Sequence, residues 1–303
     1  MRSLIIGAGQ IGQSLVAELH SRGHETVVLR RSADPVLGTS TVAGDAADRQ
    51  LLTELARGAS AIFHTAHAAY DPRSWRRELP HRERAVMDAA AEAGIPVVFP
   101  ESVYAFGRGA ENLHEGDPVQ PCSPLGEVRA ELLDARRAHG ARTLSIVASD
   151  LLGPTATAKG SIPRATVVDP VSSGRSAWVL GDPDTPHAMT WIPDLAHAMA
   201  ESAARAEQLT TSGDAVLLAP TPPAISLRAL AQFVDESESP RVRRIPDWAL
   251  VPLFPFSPTT RSLHRQLYLW ERPVRLHPGA LTTVHGLAPT PWDAMGWGGR
   301  ERS

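Results

Sequence analysis

Three glycines near the N-terminus, Gly7, Gly9 and Gly12, have the spacing of a turn that binds a dinucleotide. The first glycine permits a tight turn, the second lets the backbone approach a pyrophosphate, and the third lets a helix pack closely on a strand. The N-terminus of that helix, at Gln10 and Ile11, then directs free N–H groups at the phosphates. The motif therefore predicts a bound dinucleotide, and the alternative is a glycine-rich turn that binds no ligand.

The residues after the second predicted strand indicate which dinucleotide is bound. Sites specific for NAD place an acidic residue there to hold the ribose 2′-hydroxyl group. This chain has Arg30, Arg31 and Ser32 instead. Two guanidinium groups and a hydroxyl group suit a 2′-phosphate, so we expect NADP(H). The alternative is a pair of solvated arginines.

The glycines lie between two apolar runs, which is the strand, helix, strand setting that the motif requires. Further strand-like and helix-like segments alternate along the first half of the chain. The strand-like segments are residues 4–6, 26–29, 42–43, 61–66, 96–99 and 143–147. A helix is predicted around residues 82–93, and another over 124–140 with Ser123 and Pro124 at its start.

This alternation predicts an α/β fold, a Rossmann-type doubly wound parallel sheet with a smaller, interleaved C-terminal substrate lobe. We assign residues 1–152 to the NADP-binding domain and residues 153–303 mainly to the substrate lobe, because proline becomes frequent after Gly153. A strand near residues 214–220 is expected to return to the sheet.

The composition excludes several classes of partner. A chain of 303 residues that is 43% hydrophobic can bury a large core, and a formal net charge of −3 gives no attraction to nucleic acid or to an anionic membrane. No apolar run approaches the roughly 18 residues that a membrane span requires. The single cysteine, Cys122, excludes an internal disulfide and suits a reducing compartment. We therefore expect a cytoplasmic protein that binds neither nucleic acid nor membrane. No cluster of cysteine and histidine has the spacing of metal ligands, so we expect no metal. We expect a small-molecule substrate, and the oligomeric state stays undefined.

The chain resembles the short-chain dehydrogenase/reductase superfamily in its extended, epimerase/dehydratase-like branch. The resemblance rests on the order and spacing of short motifs, which are the glycine turn and residues 44–45, 65–66, 149–154, 181–183 and 191–196. It implies that Asp45 lies near the adenine and that the segment from Ala66 passes the cofactor ribose.

The catalytic pair of this superfamily is missing from the chain. Active members carry a tyrosine that exchanges a proton and, four residues later, a lysine that holds the nicotinamide ribose. Leu125 and Arg129 stand at the matching places. Leu125 cannot exchange a proton, whereas Arg129 can donate hydrogen bonds to ribose hydroxyl groups. The alternative for Arg129 is a solvated helix residue.

Three other side chains are candidates for the missing proton donor. By the resemblance, Ser102 falls on a serine or threonine that binds substrate, and Tyr104 reaches the same cleft if the extended conformation continues. His67 follows the fourth strand. Packing is the alternative role for Tyr104, and a structural role is the alternative for His67. We interpret Asp150 as the cap of a turn and Lys159, the only lysine, as solvent-exposed.

Two functions from different classes follow from these residues. The first is an NADP-dependent oxidoreductase, or a related epimerase- or dehydratase-type enzyme, that acts on a small organic carbonyl, imine or enone. The second is a non-redox NADP-binding regulator or sensor. The size of the second lobe and its family motifs favour the enzyme.

Overall fold

The structure is a computed structural model that describes residues 1–32, 34–235, 240–249, 252 and 257–297. The strands within these ranges are β1 (Arg2–Ile6), β2 (Glu25–Arg30), β3 (Ser40–Ala43), β4 (Ala61–His64), β5 (Val97–Ser102), β6 (Thr143–Ala148), β7 (Asp150–Leu152), β8 (Ala177–Val179), β9 (Met189–Trp191), β10 (Asp214–Leu218) and β11 (Val242–Arg244).

The α-helices in the same ranges are α1 (Gln10–Ser21), α2 (Arg49–Ala56), α3 (Pro72–Ala93), α4 (Pro124–Ala138), α5 (Asp169–Ser172), α6 (Ile192–Ala204), α7 (Ala206–Leu209), α8 (Leu227–Val234), α9 (Pro258–Arg265), α10 (Tyr268–Glu271) and α11 (Ala280–Thr283). Short 3₁₀ helices cover Val103–Asn112, Asp247–Ala249 and Trp292–Ala294, and a π-helical turn covers Arg164–Val168.

Seven parallel strands form the central sheet, in the order β10-β6-β5-β4-β1-β2-β3. Because every strand runs the same way, their carboxyl ends meet at one edge, which is where such sheets bind ligands. The glycine-rich turn, the loop after β4 and the end of β5 all open on this edge. The sheet therefore brings three predicted parts of the site to one place.

Helices cover both faces of the sheet, as predicted for a doubly wound fold. On one face, Ile5 and Val28 pack with residues of α1 and α6. On the other face, Leu4 packs with residues of α2 and α3. Alternate side chains of each strand thus enter different cores, which gives the strands their nearly continuous apolar sequences.

The second lobe packs around its own apolar core and is interleaved with the sheet. Two small parallel sheets, β7-β9 and β8-β11, belong to the second half of the chain. Strand β10 lies between these segments in sequence, yet it pairs with β6 at the edge of the central sheet. The chain thus crosses from the lobe back to the sheet and out again.

Two local predictions differ from the structure. Helix α3 begins at Pro72, capped by Asp71, and contains Pro80, so the prediction that it begins near Arg82 is wrong. Strand β5 ends at Ser102 and a 3₁₀ helix follows, so the extended conformation does not continue to Tyr104.

Candidate active site

The turn between β1 and α1 has the shape that a pyrophosphate requires. Gly7 has a φ of +99°, and a Cβ atom there would lie 2.7 Å from the backbone nitrogen of Ala66. A Cβ atom on Gly12 would lie 2.2 Å from the carbonyl oxygen of Gly7, whereas one on Gly9 would meet no atom within 4 Å. Gly7 and Gly12 therefore permit close packing, and Gly9 leaves open space beside the backbone.

Helix α1 begins without a side-chain cap at its N-terminus. By contrast, α2, α3 and α4 are each capped by the side chain of the preceding residue, which is Asp48, Asp71 or Ser123. The first N–H groups of α1, at Gln10 and Ile11, lack such a partner and can bind an anion. The open space at Gly9 and this uncapped helix together fit the pyrophosphate of a dinucleotide.

A loop from the second lobe borders the same turn. The Gln10 Nε2 group donates to the carbonyl oxygen of Gly160 at 2.9 Å, and the Thr155 hydroxyl donates to the carbonyl oxygen of Gln10 at 2.7 Å. Lys159 is exposed in this loop, as predicted. The glycine turn is thus bordered on one side by a loop of the second lobe.

The residues that the sequence predicts to bind the adenosine half of the dinucleotide lie near the end of β2. The Gly7 N–H donates to the carbonyl oxygen of Leu29, and the Gly44 N–H donates to that of Arg30, both at 2.9 Å. Asp45 follows, and its Oδ1 accepts from the N–H of Ala47 at 2.9 Å. The residues from Arg30 onward therefore lie beside both the glycine turn and Asp45.

Arg129 is buried rather than solvated, with 7% of its surface exposed. Its Nη2 donates to His67 Nε2 at 2.5 Å, its Nε lies 3.4 Å from a carboxylate oxygen of Glu101, and its guanidinium carbon lies 4.8 Å from the centre of the Trp75 ring. Nη1 makes no contact of this kind within the described ranges. The guanidinium group is thus fixed on three sides.

His67 is exposed, and the contacts of its two ring nitrogens hold it as a neutral acceptor. Its Nδ1–H donates to the carbonyl oxygen of Ala68 at 3.0 Å, which leaves Nε2 to accept from Arg129. Desolvation by the groups around the ring, followed by the positive charge of Arg129, lowers the pKa of His67 to about 3. The imidazole therefore presents no donor to the cleft.

Arg129 is connected through Glu101 to a network of buried charged residues. Glu101 Oε1 accepts from the N–H of Ser102 at 2.7 Å, and Glu101 Oε2 accepts from Arg136 at 2.8 Å. Arg136 also donates two bonds to Glu83 and one to Ser145. The carboxylates and the guanidinium groups pair with each other and form hydrogen bonds. These contacts offset the free-energy cost of removing the charges from water.

Two of the predicted hydroxyl groups come from the end of β5 and from the 3₁₀ helix that follows it. The Ser102 Oγ atom is buried and has no hydrogen-bond partner in the described part of the chain. The Tyr104 and Tyr70 hydroxyl oxygens lie 3.0 Å apart. Burial, and then the neighbouring Tyr70 and Asp150, raises the pKa of Tyr104 well above its ordinary value. Tyr104 therefore carries its proton at neutral pH.

These tyrosines lie beside Leu125. Leu125, on α4, is 2% exposed and belongs to an apolar cluster with Trp75. Tyr70 and Tyr104 pack against that cluster. The apolar residue at 125 is therefore in direct reach of two phenol rings from other parts of the chain.

Asp150 makes a different contact from the predicted turn cap. Its Oδ2 lies 2.8 Å from Nε2 of His187, and Nδ1 of His187 lies 3.1 Å from the carbonyl oxygen of Leu269. The His187 ring stacks on Trp270 with 3.8 Å between ring centres. Asp150 thus joins the cleft to the second lobe, and its prediction as a turn cap is wrong.

The sequence-predicted residues fall into two groups. The first surrounds the glycine turn and the end of β2: Gly7, Gly9, Gln10, Ile11, Gly12, Arg30, Arg31, Ser32, Asp45 and Ala66. The second surrounds the end of β5: Ser102, Tyr104, Arg129 and His67. Sequence reasoning did not single out Tyr70 and Glu101, which contact Tyr104 and Arg129.

No helix of the described residues is long and apolar enough to cross a membrane. The same residues contain no group of three or more metal-ligating side chains arranged to hold an ion.

Comparison with known proteins gives a family and a fold. The sequence profile of the NAD dependent epimerase/dehydratase family matches residues 3–216. No curated protein sequence matches the chain.

Among solved structures, the chain is similar to the enzyme WbmH of Bordetella bronchiseptica in complex with NAD⁺, with 17% identity, a TM-score of 0.70, and coverage of 97% of this chain and 95% of that one. A UDP-galactose 4-epimerase shares 18% identity at a TM-score of 0.71, with 96% and 94% covered. The dTDP-glucose 4,6-dehydratase DesIV of Streptomyces venezuelae, solved as a double mutant with NAD, shares 20% identity at a TM-score of 0.64, with 81% and 84% covered. These similarities show the fold.

Proposed function

The chain belongs to the NAD dependent epimerase/dehydratase family, and from that premise we propose that it is an NADP-dependent oxidoreductase that reduces a small organic carbonyl, imine or enone. The observation that carries this proposal is the cluster of hydroxyl groups at the end of β5, where Ser102 Oγ lacks a partner and Tyr104 pairs with Tyr70. Ser102 ends β5 at the edge of the sheet where such folds bind ligands, and the two tyrosines pack against the apolar cluster that contains Leu125.

In this proposal, residues at two places hold the cofactor: the glycine turn with the end of β2, and Arg129 on α4. The open backbone at Gly9 and the first turn of α1 bind the pyrophosphate, and Arg30, Arg31 and Ser32 bind the 2′-phosphate. Arg129 donates from Nη1 to the ribose hydroxyl groups beside the nicotinamide, in place of the missing lysine. When bound, the reduced nicotinamide supplies a hydride to the substrate carbon.

Tyr104 supplies the proton. Because burial keeps the phenol protonated at neutral pH, Tyr104 acts as an acid toward the substrate oxygen or nitrogen, or toward the enone carbon, as hydride reaches the substrate. Ser102 Oγ donates to the same substrate and orients it. The proton lost from Tyr104 returns from solvent through the Tyr70 hydroxyl group, 3.0 Å away.

His67 is a weaker proton source than Tyr104 in this arrangement. Its one N–H group donates to Ala68, and its other nitrogen accepts from Arg129. We therefore assign His67 to holding Arg129 in place. The single cysteine of the chain supports a reducing compartment, so we place the protein in the cytoplasm.

The proposal is tested by mixing the protein and NADPH with a panel of aldehydes, ketones, enones and cyclic imines. We expect oxidation of NADPH, followed by absorbance, with at least one compound class. Tight NADPH binding without turnover across the panel, together with a protein partner that co-purifies, favours the non-redox regulator or sensor instead.

Cofactor choice has its own test. Fluorescence titration should show tighter binding of NADPH than of NADH, and Arg31→Ala should remove most of that preference because a guanidinium group no longer meets the 2′-phosphate. Equal affinity for both cofactors, or an unchanged preference in the variant, contradicts this part of the proposal.

A further inference from the structure

Asp150 has one carboxylate oxygen that pairs with no described residue. Its Oδ2 atom lies 2.8 Å from His187 Nε2, whereas its Oδ1 atom makes no hydrogen bond or ion pair within the described ranges. The register of the central sheet pairs Ser102 with Ala148, so Asp150, which closely follows Ala148, lies near the strand end that carries Ser102. Its side chain is only 16% exposed. Because a buried polar atom without a partner costs free energy, a ligand that donates to Oδ1 would bind favourably.

The phenol groups of the chain's three tyrosines lie in the same region. The hydroxyl oxygens of Tyr70 and Tyr104 are 3.0 Å apart. Helix α10, which begins at Tyr268, packs against the 3₁₀ helix that carries Tyr104. Burial raises the pKa of Tyr70 and of Tyr104, and the negative charge of Asp150 raises both further. A ligand that contacts Asp150 therefore also meets phenol groups.

The two cationic side chains next to these groups already have partners. Arg129 Nε lies 3.4 Å from a carboxylate oxygen of Glu101. His187 is 2% exposed, and both of its ring nitrogens lie within hydrogen-bond distance of oxygens. A carboxylate and aromatic rings both attract a cation. The region around Asp150 and the Tyr104 hydroxyl therefore favours a ligand with a positive charge.

The sign of this charge distinguishes among the three substrate classes of the proposed function. Hydride addition to a carbonyl or to an enone places negative charge on oxygen, which a neighbouring carboxylate disfavours. An imine that accepts a proton becomes a positive iminium ion, which the carboxylate stabilises. The amine product is also positive at neutral pH.

We propose that Asp150 selects an imine as the substrate and binds its protonated nitrogen through Oδ1. The imine nitrogen takes the proton of the Tyr104 hydroxyl group, and the imine carbon accepts the hydride of the reduced nicotinamide. The carbon–nitrogen double bond becomes the single bond of an amine, and Tyr104 regains a proton from solvent through Tyr70. This inference rests on the proposed function, because it requires a reduction beside Tyr104.

The first test compares cyclic imines with ketones and enones of the same ring size. NADPH oxidation is followed for the unmodified protein and for Asp150→Asn, in which the amide oxygen can still accept from His187 but the negative charge is gone. We expect kcat/KM of the unmodified protein to be highest for the imines. Asp150→Asn should lower kcat/KM for the imines by about tenfold or more, and leave the values for ketones and enones unchanged or raised.

Two kinds of kinetic result overturn the inference while the proposed function stands. One is that a ketone or an enone is the best substrate of the unmodified protein. The other is that Asp150→Asn loses nothing on the imines, or loses equally on all three classes. Absence of NADPH oxidation across the whole panel contradicts the proposed function and, with it, the imine substrate.

The second test needs no turnover and no variant. Calorimetry in the presence of NADP⁺ compares pyrrolidine and piperidine, which are positive at neutral pH, with the uncharged ring ethers tetrahydrofuran and tetrahydropyran. We expect the amines to bind at least about tenfold more tightly than the ethers, and Asp150→Asn to remove the difference. Equal affinities for amines and ethers in the unmodified protein, or no measurable binding of the amines, overturn the inference.

Asp88→Asn is the matched control. Asp88 lies 3.1 Å from Nε2 of His139 and is 24% exposed, so it resembles Asp150 in its partner and in its burial. It lies near the end of α3 that leads into β5, at the opposite edge of the central sheet. This variant should leave imine reduction and amine binding unchanged. Losses as large as those of Asp150→Asn would overturn the inference.

Discussion

At the scale of single residues, the chemistry depends on the Tyr104 hydroxyl group. It lies 3.0 Å from the Tyr70 hydroxyl, and the Tyr104 ring packs against the apolar cluster that contains Leu125. A phenol has an ordinary pKa of about 10, and burial raises the pKa of Tyr104 further. Tyr104 therefore carries its proton at neutral pH, so it is available as an acid and not as a base.

Tyr104→Phe keeps the ring and removes the proton. We expect the turnover number for NADPH oxidation to fall by about two orders of magnitude or more, with NADPH affinity nearly intact. Ser102→Ala should lower turnover and weaken substrate binding. Full turnover in both variants would place the proton donor elsewhere, with His67 and Lys159 as the next candidates.

The residue types of the site could be predicted from the sequence, but several of their contacts could not. Glycine spacing predicts the turn because the motif is local, and the resemblance to the superfamily predicts Ser102. By contrast, Tyr70 meets Tyr104 across a sequence separation of 34 residues. Arg129 reaches His67 across 62 residues. Such contacts depend on how α3, α4 and β5 pack, which no local pattern specifies.

At the scale of elements, α3, α4 and β5 are joined by buried charges. Arg136 on α4 is 1% exposed and binds Glu83 on α3 and Glu101 on β5. Glu101 then contacts both Arg129 and the backbone of Ser102. Through this network, the packing of α3 and α4 against β5 fixes the positions of Arg129 and Ser102.

Arg136→Met should therefore destabilise the protein by about 3–5 kcal/mol, because it removes the arginine that pairs with buried Glu83 and leaves buried Glu101 with Arg129 as its only guanidinium contact among the described residues. Chemical denaturation measures the effect. The neighbouring Arg137→Met is the control, since Arg137 is 59% exposed and pairs only with Asp134 on its own helix among the described contacts. A loss for Arg136→Met no larger than that of the control would contradict the role of the network.

Restoring the superfamily residues on α4 should not increase activity. In the double variant Leu125→Tyr, Arg129→Lys, the new phenol meets an apolar cluster that already contains Trp75 and is packed by Tyr70 and Tyr104. The lysine cannot reproduce the contacts of the Arg129 guanidinium group with His67, Glu101 and Trp75. We expect equal or lower turnover on the native substrate. A large gain would show that the chain is a decayed enzyme rather than a re-purposed one.

The sequence predicts the start of helix α4 correctly but not the start of helix α3. Helix α4 begins where Ser123 and Pro124 predict it, because a cap is a local signal. The start of α3 was missed because Pro80 marks a helix boundary in most sequences, whereas here it lies inside the helix.

At the scale of the whole molecule, the central sheet buries an ionisable residue that links stability to pH. His64, at the end of β4, is 3% exposed and neither ring nitrogen has a partner in the described ranges. Burial, and then the charges of Arg136, Arg82 and Arg129, lowers the pKa of His64 to about 3. The unfolded chain, with an ordinary histidine pKa of about 6.5, binds this proton more readily.

The free energy of unfolding should therefore fall as the pH falls from about 6.5 toward 3. His64 contributes about 1.4 kcal/mol for each pH unit in that interval, since the unfolded state carries one more proton than the folded state. His64→Phe should flatten the pH dependence by this amount. Parallel curves for the two proteins would show that His64 is not the linked group.

The most direct test of the central claim follows the hydride itself. Each panel compound is incubated with the protein and NADPH that carries deuterium at the transferable position, and the products are examined by mass spectrometry. The proposed reduction predicts a product that carries one deuterium from the cofactor and one hydrogen from solvent. Bound NADPH that transfers no deuterium to any compound would contradict the claim.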